Sequence, residues 1–315
     1  MDKYNEFAEE YLKRGLSSPS LDMMSKLMKF RMESKDKDPT KYACIKGIVN
    51  ASYGVFASPN FRVFIPEIAA KITETAREGL KFVISSVENK GYTILAADTD
   101  SIMIEINKDK VPALVDWLNN ELKSIGDYEI KFEKYFIKYC CLGAKKRYFG
   151  EIEGRDSLEV KGFEDIRSDA SKLTKTVQEK IMRFVLDEDK QGAVDYLKSV
   201  SANFANYSYD DIAIPKGLSM DLDAYKTEVD YVRGAKWVKT KYNVNMGAGD
   251  RVWYVYAYAP ASTITVPDIE MFDKIQGLKV DREKMLNRIV TMPTEDLIAM
   301  LDISWTEIKG QGRLL

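Results

Sequence analysis

Two aspartates, Asp98 and Asp100, lie between two apolar runs and could bind a metal ion. The runs, residues 91–97 and 102–106, are rich in β-branched residues, which predicts a β-hairpin with a polar turn. The second run is nearly continuous in apolar residues, as in a strand buried on both faces. On an extended backbone, side chains two residues apart leave the same face, so both carboxylates would point the same way.

Carboxylates at the tip of a buried hairpin need a neutralising partner. Mg²⁺ is suited to this, because it binds one or two carboxylates together with the phosphate oxygens of a substrate. An isolated Asp-Thr-Asp is also typical of a solvated turn, so residues elsewhere in the chain have to decide between the two interpretations.

Composition narrows the chemistry that is available. The 315 residues include no histidine, which excludes Ser-His-Asp and Cys-His catalysis and histidine-ligated metals. The cysteines Cys44, Cys140 and Cys141 are too few for a four-ligand zinc site and fit a reduced intracellular protein. The net charge is only −2, so a nucleic-acid interface would need local clusters of basic residues. No apolar run is long enough to span a membrane, and we expect a cytoplasmic protein.

The elements that would position these residues form a mixture of helices and strands without regular βαβ spacing, which predicts an α+β fold. Residues 1–35 are predicted to be helical, with a break at Gly15 and residues 17–20, so that a second helix runs over about 21–34. The pattern also predicts helices over 40–54, 65–90 and 111–125, and strands over 129–136 and 146–152. Further along, it predicts helices over residues 170–186, 192–204, 281–289 and 294–301, with a β-rich patch over 251–258.

The predicted helix over residues 40–54 carries a second group of candidates. Lys46, Asn50 and Tyr53 are four and three residues apart, so one face presents a cation, an amide and an aromatic hydroxyl. Arg31 and Lys35 are also four residues apart and could add two cations from a neighbouring antiparallel helix. Together the three cations could surround a triphosphate. Taken alone, each of these residues is more typical of a solvated cation or a core aromatic.

Several of these segments resemble motifs of family B DNA polymerases. Lys46-Gly-Ile-Val-Asn-Ala-Ser-Tyr-Gly54 resembles K-x-x-x-N-S-x-Y-G, and Ala-Asp98-Thr-Asp100-Ser is similar to Y-G-D-T-D-S. Ala144-Lys-Lys-Arg-Tyr-Phe-Gly150 resembles the K-K-R-Y motif, and residues 160–172, 233–237 and 249–256 are similar to segments of the thumb. The segments follow the family's order over nearly the whole chain.

This resemblance implies the C-terminal portion of such a polymerase. The expected domains are the remainder of the fingers over residues 1–56, a palm with an antiparallel sheet over 57–155, and a mainly helical thumb over 156–315. The implied reaction is addition of dNTPs to the primer 3′ end of a primer-template DNA, with two Mg²⁺ ions as cofactors. A prokaryotic or viral replication context follows from the same resemblance.

The resemblance also implies roles for individual residues. Asp100 matches the principal metal ligand and Asp98 its weaker neighbour. The remaining candidates are Lys46, with Arg31 and Lys35, for the triphosphate; Asn50 and Tyr53 for the nascent base pair; and Lys145, Lys146, Arg147, Tyr148, Lys161 and Arg167 for DNA.

Two parts of the family pattern are absent from the sequence. We find neither the D-x-x-S-L-Y-P-S segment that carries another metal-binding aspartate nor a proofreading exonuclease. The chain therefore resembles the small subunit of a split polymerase, completed in trans by a larger chain that supplies the missing carboxylate. Two alternatives are a non-catalytic DNA-binding or scaffolding subunit, and a complete minimal polymerase that uses Glu133 as a substitute carboxylate.

Overall fold

The structure is a computed structural model that describes residues 19–35, 37–61, 64–126, 128–143, 146–164 and 167–309. The chain divides into two compact units, one up to Glu133 and one from Lys134 onwards. Both units combine helices with small antiparallel sheets, which confirms the predicted α+β class. The part of the first predicted helix over residues 1–18 lies outside the described residues. Among those residues, no helix is long and apolar enough to cross a membrane.

The first unit contains the predicted helices and the predicted hairpin. Its elements are α1 (Pro19–Ser34), α2 (Pro39–Ala57), α3 (Pro66–Asn89), β1 (Ile94–Asp98), β2 (Ser101–Ile104), a 3₁₀ turn (Lys108–Lys110) and α4 (Val111–Leu122). Proline occupies the first turn of α2, α3 and α4, where its missing N–H leaves no helical bond unmade. The Asp38 carboxylate caps α2 by accepting the Lys41 N–H at 2.9 Å.

The core of this unit is an apolar seam between α3 and α4. Its fully buried members are Val83 and Val87 on α3 and Leu114, Leu118 and Leu122 on α4. Ile94, Ile102 and Ile104 pack against this seam, and the pair Ile94–Ile104 lies at the base of the hairpin. The prediction that the second strand is buried on both faces is wrong, because β2 ends at Ile104 and its apolar residues are only half-buried.

The strand predicted over residues 129–136 is also wrong, since the strand begins only at Phe136. The physical reason is a side-chain contact that replaces a strand partner. The Asn119 side chain accepts the Ile130 N–H at 2.8 Å and donates to the Ile130 carbonyl at 2.9 Å. The backbone at Ile130 is thereby satisfied without a neighbouring strand.

The second unit starts with a three-stranded antiparallel sheet in the order β3 (Phe136–Cys141), β4 (Tyr148–Ile152), β5 (Leu158–Lys161). In a second sheet, β7 (Arg251–Ala259) pairs antiparallel with three other strands: β6 (Ile214–Gly217), β8 (Thr263–Val266) and β9 (Lys279–Val280). The remaining elements in chain order are α5 (Lys172–Leu186), α6 (Lys190–Ala202), a 3₁₀ turn (Phe204–Asn206), α7 (Tyr209–Ile212), β6 (Ile214–Gly217), a 3₁₀ turn (Leu222–Ala224), α8 (Asp230–Tyr242), β7 (Arg251–Ala259), β8 (Thr263–Val266), a 3₁₀ helix (Ile269–Lys274), β9 (Lys279–Val280), α9 (Arg282–Leu286), a π-helical turn (Asn287–Thr291), α10 (Met292–Ala299) and α11 (Trp305–Ile308).

Helix α8 packs so closely on β8 that one of its positions must be glycine. A Cβ at Gly234 would lie 2.6 Å from the Thr265 hydroxyl and 2.8 Å from the Thr263 carbonyl oxygen. Such distances are far inside van der Waals contact, so any larger residue would push the helix away from the sheet.

A buried polar contact holds α5 against the last helices at the π-helical turn. Pro293 has no N–H to donate to the Ile289 carbonyl, the acceptor four residues earlier in a regular helix. The Thr174 hydroxyl of α5 donates to that carbonyl at 2.8 Å, and Thr174 is almost completely buried. A side chain thus replaces a backbone donor that the proline removes.

We expect Thr174→Val to lower the free energy of unfolding by about 1–3 kcal/mol, because it removes the donor while the carbonyl stays buried. Urea denaturation of the full chain measures this. Thr176→Val is the matched control: Thr176 lies on the same helix, and its exposed hydroxyl bonds only to the Lys172 carbonyl of its own helix. The control should change stability by less than about 0.5 kcal/mol. Equal losses in the two variants would contradict this assignment.

Candidate functional site

The hairpin presents its two aspartates at an exposed, tight turn. Asp98 ends β1 opposite Ser101 of β2, and Thr99 and Asp100 form the connection. The Asp100 N–H donates to the Asp98 carbonyl at 2.5 Å, and the Thr99 hydroxyl donates to the Asp98 carboxylate at 3.0 Å. Because the turn separates them, the two aspartates do not lie on one extended strand. The alternation rule for a single strand therefore does not apply to this pair, and a shared face for the two carboxylates stays a prediction.

Thr99 adopts a backbone conformation that a β-branched residue rarely takes. Its φ of 48° lies in the left-handed region, where the side chain crowds the following carbonyl. Strain of this kind persists where the surrounding structure imposes it, and it is concentrated at functional sites. The strained residue is the one that separates the two carboxylates.

The oxygen atoms of Asp98 and Asp100 are the ligand type that Mg²⁺ prefers, and both side chains are open to solvent. They can supply part of a magnesium site. Within the described residues, however, no group of three or more Asp, Glu, Cys or His side chains is placed to hold a metal ion. Glu133, the predicted substitute carboxylate, therefore does not form such a group with the two aspartates in this part of the chain.

Helix α2 carries the second group of candidates on one continuous helix, as the spacing predicts. Lys46, Asn50 and Tyr53 all fall within Pro39–Ala57 and are exposed, with 41% of the Tyr53 side-chain surface open to solvent. This face can contact a ligand without any rearrangement of a buried core.

The three predicted triphosphate cations surround a residue that sequence reasoning missed, Tyr42. A hydrogen bond from Arg31 is the main cause that lowers the Tyr42 pKa, and the charges of Arg31, Lys46 and Lys35 act in the same direction. The charges of Arg31 on α1, Lys46 on α2 and Lys35 in the turn between them thus all act on the Tyr42 hydroxyl. Tyr42 precedes Lys46 by one helical turn, so helical periodicity could have identified it.

The predicted DNA-binding residues of the second unit lie on β4 and β5 and in the loops beside them. Tyr148 pairs directly with Lys161 across these strands, and Lys161 and Lys146 are exposed. Arg147 already makes two contacts within the unit. It donates to the Asp296 carboxylate at 2.7 Å, and its guanidinium lies 4.7 Å from the Phe163 ring centroid. Lys145 lies outside the described residues.

Arg167, the last predicted DNA-binding residue, belongs to a charged cluster that the motifs do not indicate. It donates to the Asp169 carboxylate at 2.9 and 3.1 Å, and Lys216 donates to the same carboxylate at 2.8 Å. Arg251 donates to the neighbouring Ser168 carbonyl at 3.0 Å. An open cleft of about 540 Å³ is lined here by Arg167, Ser168, Asp169, Lys216 and Gly217. These partners come from β6 and β7, so only the tertiary fold reveals them.

Comparison with known proteins identifies the family. A family model described as DNA polymerase family B matches residues 24–299. The chain belongs to DNA polymerase family B. This confirms the resemblance that the sequence motifs carry.

Two curated proteins similar to this family B chain are DNA polymerase 2 of Aeropyrum pernix, 26% identical over 273 residues, and DNA polymerase 1 of Saccharolobus solfataricus, 24% identical over 276 residues. The alignments cover 85% and 84% of this chain but only 33% and 30% of the two relatives. The family B chain therefore spans about a third of their length.

A similar fold is found in the solved structure of the family B DNA polymerase from the hyperthermophilic archaeon Pyrobaculum calidifontis. The TM-score is 0.62 at 24% sequence identity, and the match covers 88% of this family B chain and 37% of the other. At this identity the likeness concerns the fold alone.

We expect Thr99→Asn to raise the free energy of unfolding by about 0.5–1 kcal/mol, because Asn tolerates a positive φ better than a β-branched residue. Urea denaturation measures the change. Thr93→Asn is the control, since Thr93 is exposed just before β1 and has no positive φ. A gain of the same size in the control, or a loss in Thr99→Asn, would show that Thr99 is not strained.

We expect Asp169→Asn to lower the melting temperature at pH 7 by about 2–4 °C, since it removes contacts worth about 1 kcal/mol. Hydrogen bonds from Arg167, then from Lys216, hold the pKa of the Asp169 carboxyl well below its usual range. The stabilisation is therefore present above the unfolded-state pKa of about 3.9 and is lost as the pH falls below it.

Melting of both forms between pH 7 and pH 3 tests this, and the difference between them should shrink below about pH 4. Glu179→Gln serves as the control, because Glu179 makes a single exposed pair with Arg183 on α5. Its effect should stay below about 0.5 kcal/mol at every pH. A pH-independent difference for Asp169→Asn would contradict the charge-based explanation.

Proposed function

We propose that this chain is part of the catalytic machinery of a DNA-directed DNA polymerase that adds dNTPs to a primer 3′ end. The observation that carries the proposal is the exposed turn in which Thr99 holds Asp98 and Asp100 on a strained backbone. A scaffolding subunit gains nothing from two solvent-facing carboxylates on a strained turn, whereas a metal site does.

In the proposed reaction, the primer 3′-hydroxyl oxygen forms a bond to the α-phosphorus of the dNTP, and its proton passes to solvent water. The bond from the α-phosphorus to the oxygen that bridges to the β-phosphate breaks, and pyrophosphate leaves. Mg²⁺, when bound, supplies positive charge at the attacking and leaving oxygens. Asp100 is the principal ligand from this chain, and Asp98 is the second.

The positive side chains of the first unit bind the triphosphate. Lys46 donates to its oxygens from α2, with Arg31 and Lys35 beside it, and their charges offset the charge on the leaving pyrophosphate. The exposed ring of Tyr53 and the amide of Asn50 line the nascent base pair. A flat aromatic surface suits every base pair equally, because each presents an apolar face.

The basic residues of the second unit hold the duplex. Lys145, Lys146, Arg147, Tyr148, Lys161 and Arg167 contact the sugar-phosphate backbone, which gives salt-dependent binding with little sequence preference. In this proposal residues 1–56 belong to the fingers, 57–155 to the palm and 156–315 to the thumb.

A second chain completes the metal site. Mg²⁺ requires near-octahedral oxygen coordination, and the described residues hold no cluster of three or more metal-binding side chains. We propose a larger polymerase chain, which carries the missing palm aspartate and the exonuclease, as the partner that supplies the remaining ligand in trans.

Primer extension with Mg²⁺ and dNTPs tests this proposal, first with this chain alone and then with a chain that carries the missing palm segment. We expect extension only in the mixture. Asp100→Asn should lower its rate roughly 100-fold or more, the size of effect that follows loss of one electrostatic contact to a transition state. Asp109→Asn is the control, since Asp109 is an exposed carboxylate outside the hairpin turn.

Full activity of Asp100→Asn in the mixture would rule out its role as a ligand. Extension by this chain alone would remove the need for a partner and favour a complete minimal polymerase. Stable binding to a primer-template duplex without extension under any condition would favour the non-catalytic DNA-binding subunit.

A further inference from the structure

Helices α1 and α2 contact each other through the guanidinium of Arg31 and the ring of Tyr42. The Arg31 Cζ lies 5.5 Å from the centroid of the Tyr42 ring, and both residues are half-buried. The Arg31 Nε is buried and has no hydrogen-bond partner among the described residues. Among the described residues, the Tyr42 ring is one contact of this guanidinium, and a hydrogen bond from Arg31 is the main cause that lowers the Tyr42 pKa.

The contact with Tyr42 does not use all the donors of the arginine. A guanidinium has five N–H groups in its own plane, and a hydrogen bond to one hydroxyl leaves the others able to bind a second acceptor. Those in-plane donors match the oxygens of a phosphate. A free arginine side chain loses rotamer freedom when a ligand fixes it, and a guanidinium already held by a ring loses less on binding.

The electrostatics place the other triphosphate cations near the same tyrosine. Lys46 lies one helical turn after Tyr42 on α2, and Lys35 lies just after the end of α1. Both side chains are exposed, and both of their charges act on the Tyr42 hydroxyl together with that of Arg31. Tyr42 thus lies where the fields of the three cations overlap.

We propose that Tyr42 is a positioning residue for the triphosphate: its ring and hydroxyl hold the Arg31 guanidinium so that Arg31, Lys35 and Lys46 act together on one ligand. The inference rests on the proposed function and adds to it the residue that organises the cation cluster. Tyr42 itself need not touch the nucleotide.

The same helix pair offers a matched control. Lys41 of α2 lies 5.8 Å from the centroid of the Phe30 ring of α1, so this pair is also a cation over an aromatic ring between the two helices. Phe30→Leu removes that contact and leaves Arg31 and Tyr42 in place. A purely structural role for such contacts would make Phe30→Leu and Tyr42→Leu behave alike.

Isothermal titration of the full chain with inorganic tripolyphosphate and Mg²⁺ tests the proposal, since this probe has no base or sugar. We expect Tyr42→Leu to weaken binding roughly fivefold to tenfold, the combined effect of one cation–π contact and one hydrogen bond. Tyr42→Phe keeps the ring and should recover most of the lost affinity. Phe30→Leu should bind within about twofold of wild type, even where its melting temperature falls as much as that of Tyr42→Leu.

A double-mutant cycle separates positioning from independent binding. If Tyr42 acts through Arg31, the double variant Arg31→Ala/Tyr42→Leu binds no more weakly than Arg31→Ala alone. Wild-type affinity in Tyr42→Leu, losses that simply add in the double variant, or an equal loss in Phe30→Leu would overturn the inference.

Absence of tripolyphosphate binding by the wild-type chain would overturn it as well, together with the proposed role of Lys46. The role of Asp100 would still stand or fall by primer extension, so failure of the two proposals can be told apart.

Discussion

The apolar stripe of α3 is the interaction on which the first unit depends. Ala69, Gly79, Val83 and Val87 are its buried positions, and they recur along one side of a helix that runs from Pro66 to Asn89. Through this helix the unit joins α2 on one part of its length to α4 and β1 on another. The helix with the exposed lysine face and the strand that ends in Asp98 therefore share one support. A change that rotates α3 would move both groups of candidate residues at once.

In the hairpin, the residues that stabilise the fold are different from the residues that are candidates for chemistry. A two-stranded hairpin is marginally stable alone, so its isoleucines must pack against the helices to keep it folded. Because side chains on the two strands make these contacts, the turn itself does not have to stabilise the unit. It can carry two exposed carboxylates and a threonine at positive φ. The cost of that backbone conformation, about 1–2 kcal/mol, is offset in the seam between α3 and α4.

Sequence reasoning predicts the parts of this protein whose signals are local. Helices α2 and α3 follow from a regular apolar period and a proline at each start, and the hairpin follows from two apolar runs around a polar turn. It fails where a contact with a residue far away in the chain determines the local structure. Asn119 satisfies the backbone of Ile130 and removes a strand, and the local pattern contains no sign of it. Helix α8 carries an interior glycine that helix propensity disfavours, and only its approach to β8 explains that residue.

The candidate sites divide in the same way. Short motifs select Asp98, Asp100 and Lys46 as candidates, because the proposed chemistry needs those residue types at that spacing. Lys216 emerges only from a contact between elements, since Asp169 lies 47 residues away in the chain. Helical periodicity places Tyr42 one turn before Lys46, but its contact with Arg31 on another helix is visible only in the structure. Motif reasoning also treats Arg147 as a free cation, whereas Asp296 and Phe163 already occupy part of it.

The pairing of Arg147 with Asp296 has a consequence for the order in which the protein folds during synthesis. The two residues are 149 positions apart, and the bond from Thr174 to Ile289 spans 115. Ribosomes add about 5–20 residues per second, so β4 emerges roughly 7–30 s before its partner on α10 exists. The contacts of the first unit, in contrast, all lie within residues that precede β4. The nascent chain can therefore complete the hairpin that carries Asp98 and Asp100 while Arg147, just before β4, still lacks the helix that supplies Asp296.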